Sequence, residues 1–306
     1  MIEFDASSLL VLNVLIAAMM FGVSMTLRVE DFRRIAQRPV APVAGLLAQF
    51  LLLPAATALA AWLLQVGPEL AMGMILVASC PGGSFSNILT WLGRGNVAVS
   101  VSMTAVSSLA AAVLMPLNFA LYGWLNPITR DYLTEISVDT VDLLVLVGLV
   151  LGVPLLLGMA AGARLPRAAA RTERPLRVVS TLVFLGFVAV AFANNVGLFV
   201  EEFHTFFWLV LGHNAGALLL GAGVARLLRL PVSDRRAVTL EVGIQNSGLG
   251  LVVAFNFFPD AGGALLITAF WGVWHLVAGL ALAQVFARRP LPEDDPLVSA
   301  RPGVVR

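Results

Sequence analysis

The chain has 306 residues, of which 59% are hydrophobic and 12% are charged, and its mean hydropathy is +0.92. Soluble domains are about 45–50% apolar and about 25% charged, so this composition excludes an ordinary soluble protein and indicates an integral membrane protein. The net charge of +1 gives no sign of nucleic-acid binding. The single cysteine, Cys80, excludes an intrachain disulfide, and nothing in the sequence indicates an obligate protein partner.

Nine apolar segments are each long enough to cross a lipid bilayer as a helix, which takes about 20 residues. Acidic residues rather than basic ones precede the first segment, which predicts a spanning helix and not a cleaved signal peptide. The fold class is therefore predicted as an all-α integral membrane protein with nine transmembrane helices. The segments are predicted at residues 9–27, 40–64, 70–92, 97–125, 143–163, 178–200, 206–228, 237–258 and 264–286.

The arginines predict the orientation of the chain in the membrane. There is no lysine, and 18 of the 19 arginines lie in alternate connections between the nine segments. Because positive charge is retained on the cytoplasmic side, residues 1–8 are predicted outside and the C-terminus inside. We expect a multi-pass protein of the inner (plasma) membrane. The Pro-rich, charged residues 288–306 are predicted to form a disordered cytoplasmic tail.

Two apolar segments are interrupted near their middle. The first interruption reads CPGGSFSN, at residues 80–87, and the second reads GIQNSGLG, at residues 243–250. Irregular backbone at that depth is tolerated only against protein or a water-filled cavity, because lipid cannot satisfy its polar groups. Two such breaks in oppositely directed helices are typical of secondary transporters with inverted repeats. We predict repeats at 9–125 and 178–287, joined by 126–177 with an unpaired fifth helix.

The second interruption follows the only acidic residue, among 18, that lies inside an apolar segment. This residue is Glu241, and a carboxylate at mid-membrane costs about 2.5–3.5 kcal/mol on insertion scales. Gln245 follows one helical turn later and is predicted on the same face. One alternative remains open from the sequence: Glu241 could extend toward Arg236 and serve only as its ion-pair partner.

Further oxygen-bearing side chains lie near the first interruption and in the next segment. Ser86 and Asn87 follow the first break, and Ser100 and Thr104 share one helical face. A single Ser or Thr in a membrane helix more often bonds its own backbone or serves helix packing. Together with Glu241, however, these oxygens are the ligands that a hard cation such as sodium prefers.

The stretches CPGGSFSNILTWLGRGNVAVSVSMTAVSS and TLEVGIQNSGLG closely resemble the bile acid:sodium symporter family of secondary transporters. The resemblance runs from MMFGVSMTL (19–27) to GVWHLVAG (272–279). It implies a core domain with two crossing broken helices, and a panel domain against which the core moves. The chain resembles the nine-helix form of the family, because the extra first helix of ten-helix bacterial members is lacking.

The resemblance also implies which residues bind the transported species. One sodium site would comprise Ser86, Asn87, Ser100, Thr104 and Glu241. A second would comprise Gln49, Glu241, Gln245 and the backbone carbonyls of Val242 and Ile244. Substrate contacts are implied at Ser84 and Asn246, and more weakly at His275, where Leu276 replaces the family's usual asparagine.

We therefore predict a transporter that imports an organic anion, bile-acid-like or a small carboxylate, with two sodium ions by alternating access. A proton-coupled or exporting transporter of related fold is the alternative, in which Glu241 would titrate instead of binding sodium. An intramembrane enzyme is disfavoured, because the apolar segments contain one acid and no nucleophile–base pair or metal-binding histidine cluster. The sequence does not specify the anion.

Overall fold

The computed structural model describes residues 36–135, 140–169, 196–201 and 203–299, with scattered positions between 13 and 33 and between 171 and 193. In this part of the chain the secondary structure is helical, apart from one isolated β-bridge. The predicted segments at 9–27 and 178–200 lie partly outside the described residues, so the count of nine helices stays a prediction.

Four helices in the described ranges are long and apolar enough to cross a membrane. They agree with the predicted segments to within three residues, and they span Val40–Leu63, Val97–Leu125, Phe203–Leu227 and Gly262–Arg288. The shorter helices are Pro68–Ser79, Phe85–Leu92, Pro127–Glu135, Thr140–Val147, Val153–Arg164, Val196–Glu201, Val232–Gly243, Ser247–Phe257 and Pro296–Ser299. A π-helical turn, Gly148–Gly152, joins Thr140–Val147 to Val153–Arg164.

The long helices carry large apolar side chains that are exposed in the described part of the chain. Leu219 is 69% exposed, Trp124 is 59% exposed and Leu47 is 54% exposed. Such continuous exposed apolar surface is unfavourable in water but matches lipid. The chain is accordingly a multi-pass membrane protein.

The helix Val40–Leu63 contains a π-helical turn, Ala48–Leu52, just before Pro54. Proline has no N–H, so the carbonyl of Phe50, four residues earlier, loses its usual helical partner. The side-chain amide of Asn118 replaces it, donating to the Phe50 carbonyl at 2.7 Å. The π turn therefore has a cause in the sequence, and it contains Gln49, one of the predicted sodium ligands.

Both predicted interruptions are present, and they cross each other. The first separates the half-helices Pro68–Ser79 and Phe85–Leu92, and the second separates Val232–Gly243 from Ser247–Phe257. We call these pairs the first and second broken helix.

The two breaks are joined by an antiparallel bridge between Gly82 and Gln245. Gly83 N donates to the Ile244 carbonyl and Asn246 N to the Pro81 carbonyl, both at 2.8 Å. A Cβ at Gly83 would lie 2.9 Å from the Gln245 carbonyl oxygen, so the close backbone approach requires glycine there. Each break thus supplies the hydrogen-bond partners that the other lacks.

The beginning of the predicted tail contacts the second broken helix. Residues Pro296–Ser299 form a short helix, and Asp295 is only 3% exposed. The Asp295 carboxylate accepts from Ser233 N at 2.9 Å and from Ser233 Oγ at 2.7 Å, at the start of the second broken helix. Disorder of residues 288–306 stays a prediction, although residues up to 299 include this short helix and a buried acid, and residues 300–306 lie outside the described part.

Candidate functional site

Three hydroxyl groups converge on the carboxylate of Glu241, which is fully buried. Ser86 Oγ donates to Oε2 at 2.5 Å, Ser100 Oγ to Oε2 at 2.9 Å, and Thr104 Oγ1 to Oε1 at 2.6 Å. The side-chain oxygen of Asn87 lies 2.8 Å from Ser100 Oγ and 3.2 Å from Thr104 Oγ1. The structure thus brings together all five residues of the first predicted sodium site.

We call this group of five residues the Glu241 cluster. Its oxygens offer more hydrogen-bond acceptor positions than its hydroxyl groups have protons to donate. Ser100 Oγ has both the Glu241 carboxylate and the Asn87 carbonyl oxygen within 2.9 Å, yet a hydroxyl donates only one proton. Thr104 Oγ1 likewise lies within 3.2 Å of both of those groups and of the Ser100 carbonyl. Six side-chain oxygens in contact, with one negative charge and few protons, fit a cation that needs several oxygen ligands.

A second polar group lies on the other side of Glu241, between the two breaks and the π turn. Gln49 Nε2 donates to Gln245 Oε1 at 3.3 Å, and Gln245 Nε2 donates to the Val242 carbonyl at 2.9 Å. Both glutamines are buried, and Gln49 Oε1 has no hydrogen-bond partner in the described residues. A buried acceptor oxygen without a donor fits the same chemistry, a cation bound by oxygens.

Gly82 connects the two groups. A Cβ at this position would overlap Oε1 of Glu241 and lie 3.4 Å from Gln49 Nε2. Both side chains therefore reach the backbone of the first break, and only glycine leaves them room. Of the second predicted site, the structure brings together Gln49, Gln245 and the Val242 carbonyl beside Glu241, whereas the Ile244 carbonyl accepts from Gly83 N.

The prediction that Glu241 and Gln245 lie on one face of a continuous helix is wrong. The half-helix ends at Gly243, so Gln245 lies in the break and not one turn further along a helix. Its side chain reaches the site because the break folds back and its amide bonds the Val242 carbonyl. Helical periodicity could not reveal this, since it assumes that the helix continues.

The alternative of an ion pair between Glu241 and Arg236 is not supported by the geometry. The Arg236 guanidinium donates to the carbonyl of Gly93 at 2.9 Å and to that of Arg289 at 2.7 Å. Arg236 therefore binds the C-terminal ends of the helices Phe85–Leu92 and Gly262–Arg288, while the carboxylate of Glu241 accepts from three hydroxyls. Glu241 thus has three hydroxyl donors, and the Arg236 guanidinium is engaged elsewhere.

Comparison with known proteins agrees with this geometry. A profile described as the Sodium Bile acid symporter family matches residues 13–202, more than half of the chain. The chain belongs to the sodium bile acid symporter family.

Several relatives align with nearly the whole chain. An uncharacterized sodium-dependent transporter of Bacillus subtilis is 29% identical over 91% of this chain and 83% of its own length. A probable sodium/metabolite cotransporter of Arabidopsis thaliana chloroplasts is 33% identical over 90% of this chain and 66% of its own. The human sodium/bile acid cotransporter 4 is 29% identical over 93% of this chain and 68% of its own. Proteins of this family are transporters and not enzymes.

The three predicted substrate residues lie at the two breaks or beside them. Ser84 and Asn246 each immediately precede a resumed half-helix, and Asn246 Oδ1 accepts from Leu249 N at 3.2 Å. His275 is 4% exposed, and its Nδ1 lies 3.3 Å from Ser247 Oγ, next to Asn246. Ser84 is exposed, and no contact with Asn246 or His275 is described for it. Their role in binding stays a prediction.

Asn118 belongs to the surroundings of the site but was not among the residues singled out from the sequence. It supports the π turn that contains Gln49, through its bond to the Phe50 carbonyl. The available signal was Pro54, which leaves that carbonyl without a helical donor. The sequence does not reveal which side chain replaces the donor, because Asn118 is far away along the chain.

Proposed function

We propose that this protein is a sodium-coupled transporter that imports an organic anion by alternating access. The observation that carries this proposal is the Glu241 cluster, in which a buried carboxylate meets three hydroxyls and an amide oxygen at the crossing of two broken helices. One sodium ion would be held by Ser86, Asn87, Ser100, Thr104 and Glu241.

A second sodium ion would be bound on the other side of the same carboxylate. Its proposed ligands are Gln49, Gln245, Glu241 and the carbonyls of Val242 and Ile244, and the unpartnered Gln49 Oε1 supports this assignment. Import of two sodium ions with one monovalent anion would move net positive charge inward. Each net charge then gains about 2.3 kcal/mol per 100 mV of membrane potential.

The anion would bind where both broken helices resume. The N-terminal ends of the half-helices Phe85–Leu92 and Ser247–Phe257 are positive ends of helix dipoles, which favour negative charge. Ser84, Asn246 and His275 would add polar contacts, and bound sodium would add positive charge. We propose a bile-acid-like anion or a small carboxylate as the substrate class.

The transport movement would use the architecture that the family resemblance implies. We propose nine transmembrane helices in two inverted repeats, with a core domain that contains both broken helices and moves against a panel domain. The arginine distribution supports an inner (plasma) membrane protein with the N-terminus outside and the C-terminus in the cytoplasm. A reporter fused after Arg306 should be active only in the cytoplasm; activity only outside would contradict the orientation and the inverted repeat with it.

The decisive experiment replaces Glu241 by glutamine and measures uptake and counterflow with sodium or potassium. Glutamine keeps the shape and one oxygen ligand but removes the charge shared by both proposed sites, so uptake should fall to background at every pH. As a control, Glu69→Gln changes a carboxylate that accepts from Gly263 N at 2.8 Å at the far end of the first broken helix, and sodium dependence should persist.

The same experiment distinguishes the alternative. A proton-coupled transporter would lose uphill transport with Glu241→Gln but still exchange substrate equally well in sodium and in potassium. An exporter would show sodium-driven efflux where we expect uptake. Wild-type sodium coupling in Glu241→Gln would contradict the proposed mechanism.

A further inference from the structure

Two asparagines from neighbouring helices bind backbone carbonyls beside the proposed second sodium site. Asn214, fully buried in the helix Phe203–Leu227, donates through Nδ2 to the carbonyl of Gly243 at 2.8 Å. Gly243 is the last residue of the half-helix that ends at the second break, so its carbonyl has no helical donor. This carbonyl lies between those of Val242 and Ile244, which are proposed ligands.

Asn118 makes the equivalent bond on the other side of the site. It donates through Nδ2 to the Phe50 carbonyl at 2.7 Å, where Pro54 has removed the helical donor. Phe50 directly follows Gln49, another proposed ligand of the second site. The π turn and the second break are therefore each held by a side-chain amide from a different helix.

These bonds determine the orientation of the ligand-bearing backbone. A carbonyl without a donor in a membrane interior turns toward whatever partner is available, and neighbouring peptide planes turn with it. The carbonyl of Val242 and the side chain of Gln49 are each one residue from such a carbonyl. We infer that Asn214 and Asn118 are positioning residues for the second sodium site, an inference that rests on the proposed function.

The nitrogen is the part of Asn214 that this role uses. Its Oδ1 is buried and has no hydrogen-bond partner among the described residues. Replacement by leucine, which has the same number and branching of side-chain heavy atoms, therefore removes the bond to Gly243 without leaving a cavity or breaking a second hydrogen bond among the described residues. The same substitution at Asn118 removes the bond to Phe50.

Asn126 provides a matched control. It is buried, and its Nδ2 donates to the Ala58 carbonyl at 3.0 Å, on the same helix as Gln49 but nine residues further along the chain. The bond has the same chemistry but no proposed ligand beside it. Because Asn126 Oδ1 also accepts from Ile128 N at 2.9 Å, leucine at this position removes two hydrogen bonds and tests the larger loss of stability. If these amides only stabilise the fold, each of the three single leucine variants should have a lower thermal stability and an unchanged sodium affinity.

The test is a sodium titration of the purified full-length protein, followed by thermal stabilisation and by sodium-dependent uptake. Loss of an outer partner of a metal ligand typically weakens binding about 10–100-fold, so Asn214→Leu and Asn118→Leu should weaken apparent sodium affinity about tenfold. Asn126→Leu should lower the melting temperature but change sodium affinity less than about twofold. If Asn214→Leu does not fold, Asn214→Ser carries the same expectation, because its shorter side chain cannot reach the carbonyl without a backbone shift.

Double variants assign the effect to one site. The double variant Asn214→Leu, Gln245→Ala should bind sodium only slightly more weakly than Gln245→Ala alone, because both changes affect the same site. In the double variant Asn214→Leu, Ser100→Ala, the two losses of sodium affinity should multiply, because they affect different sites. Asparagine variants that behave like Asn126→Leu, while Gln245→Ala weakens sodium binding, would overturn the positioning role and leave the proposed function intact. An unchanged sodium response in Gln245→Ala would instead refute the second site itself.

Discussion

Two buried carboxylates lie at opposite ends of the half-helix Val232–Gly243, and they are satisfied differently. Asp295 lies at its N-terminal end and accepts from Ser233 N, Ser233 Oγ and Leu297 N. Glu241 lies two residues before its C-terminal end and accepts from three hydroxyls. The number of donors is the same, so the difference lies in the electrostatics.

A helix end carries about half an elementary charge, positive at the N-terminus and negative at the C-terminus. Burial alone would raise the pKa of Asp295, but its hydrogen bonds with Ser233 and Leu297 and the charge of Arg236 hold that pKa below the ordinary value of 3.8. Glu241 instead faces the negative end of the same half-helix. Asp295 is thus complete as a structural anchor, whereas Glu241 lies where we propose that sodium supplies the missing positive charge.

Besides Glu241→Gln, the largest effect on sodium-driven uptake is expected from Gly82→Ala. The added methyl group would overlap Glu241 Oε1, so the carboxylate must leave its position between the two proposed sodium sites. Sodium-driven uptake should fall below about 1% of wild type, because both sites lose their charged ligand. Gly67→Ala is the control, since a Cβ there meets nothing within 4 Å. Normal sodium-driven uptake in Gly82→Ala would show that the close approach of Gly82 and Glu241 is unnecessary.

A smaller effect is expected from Ser100→Ala, which removes one oxygen ligand and leaves the charge. Apparent sodium affinity should weaken about tenfold, and some sodium response should remain from the second site. Ser107→Ala serves as the control, because Ser107 Oγ is also buried on this helix but donates to the Thr104 carbonyl. Equal sodium titration curves for the two variants would mean that Ser100 is a packing residue.

Asn246→Ala should weaken binding of the anion and leave binding of sodium nearly unchanged. Its loss should raise the substrate KM about tenfold, because a buried polar contact with the anion contributes on the order of 1–2 kcal/mol. Sodium-induced thermal stabilisation should stay close to wild type. Loss of sodium binding with an unchanged substrate KM would reassign Asn246 to the cation site.

The smallest effect on transport is expected from Asp295→Asn, which should lower the free energy of unfolding by about 1–2 kcal/mol and leave sodium affinity unchanged. Since the pKa of Asp295 is lower in the folded protein, its stabilisation is present above the ordinary pKa of 3.8 and is lost as the pH falls through the folded value. Thermal unfolding from pH 7 to pH 3 measures this, with exposed Asp294→Asn as the control. A change in sodium affinity would contradict the separation of the two carboxylates.

Much of the site could be predicted from composition and local pattern. An acid inside an apolar segment is rare for a clear energetic reason, so Glu241 stands out without any structure. The two breaks were equally visible, because proline and glycine in a membrane segment free backbone groups that lipid cannot satisfy. Arginine asymmetry predicted an orientation, and hydropathy located the long helices to within a few residues.

Other features depend on contacts between residues that are far apart along the chain. Periodicity placed Gln245 on the helical face of Glu241, but the half-helix ends first, and the crossing of the two breaks brings Gln245 to Gln49. Composition predicted a disordered tail, yet Asp295 caps a distant half-helix. Hydropathy and periodicity report how each segment meets lipid, and they determined the helices and the one membrane-buried acid. Packing between helices decides which side chain donates to a carbonyl that has lost its helical donor. Only the tertiary structure shows that packing.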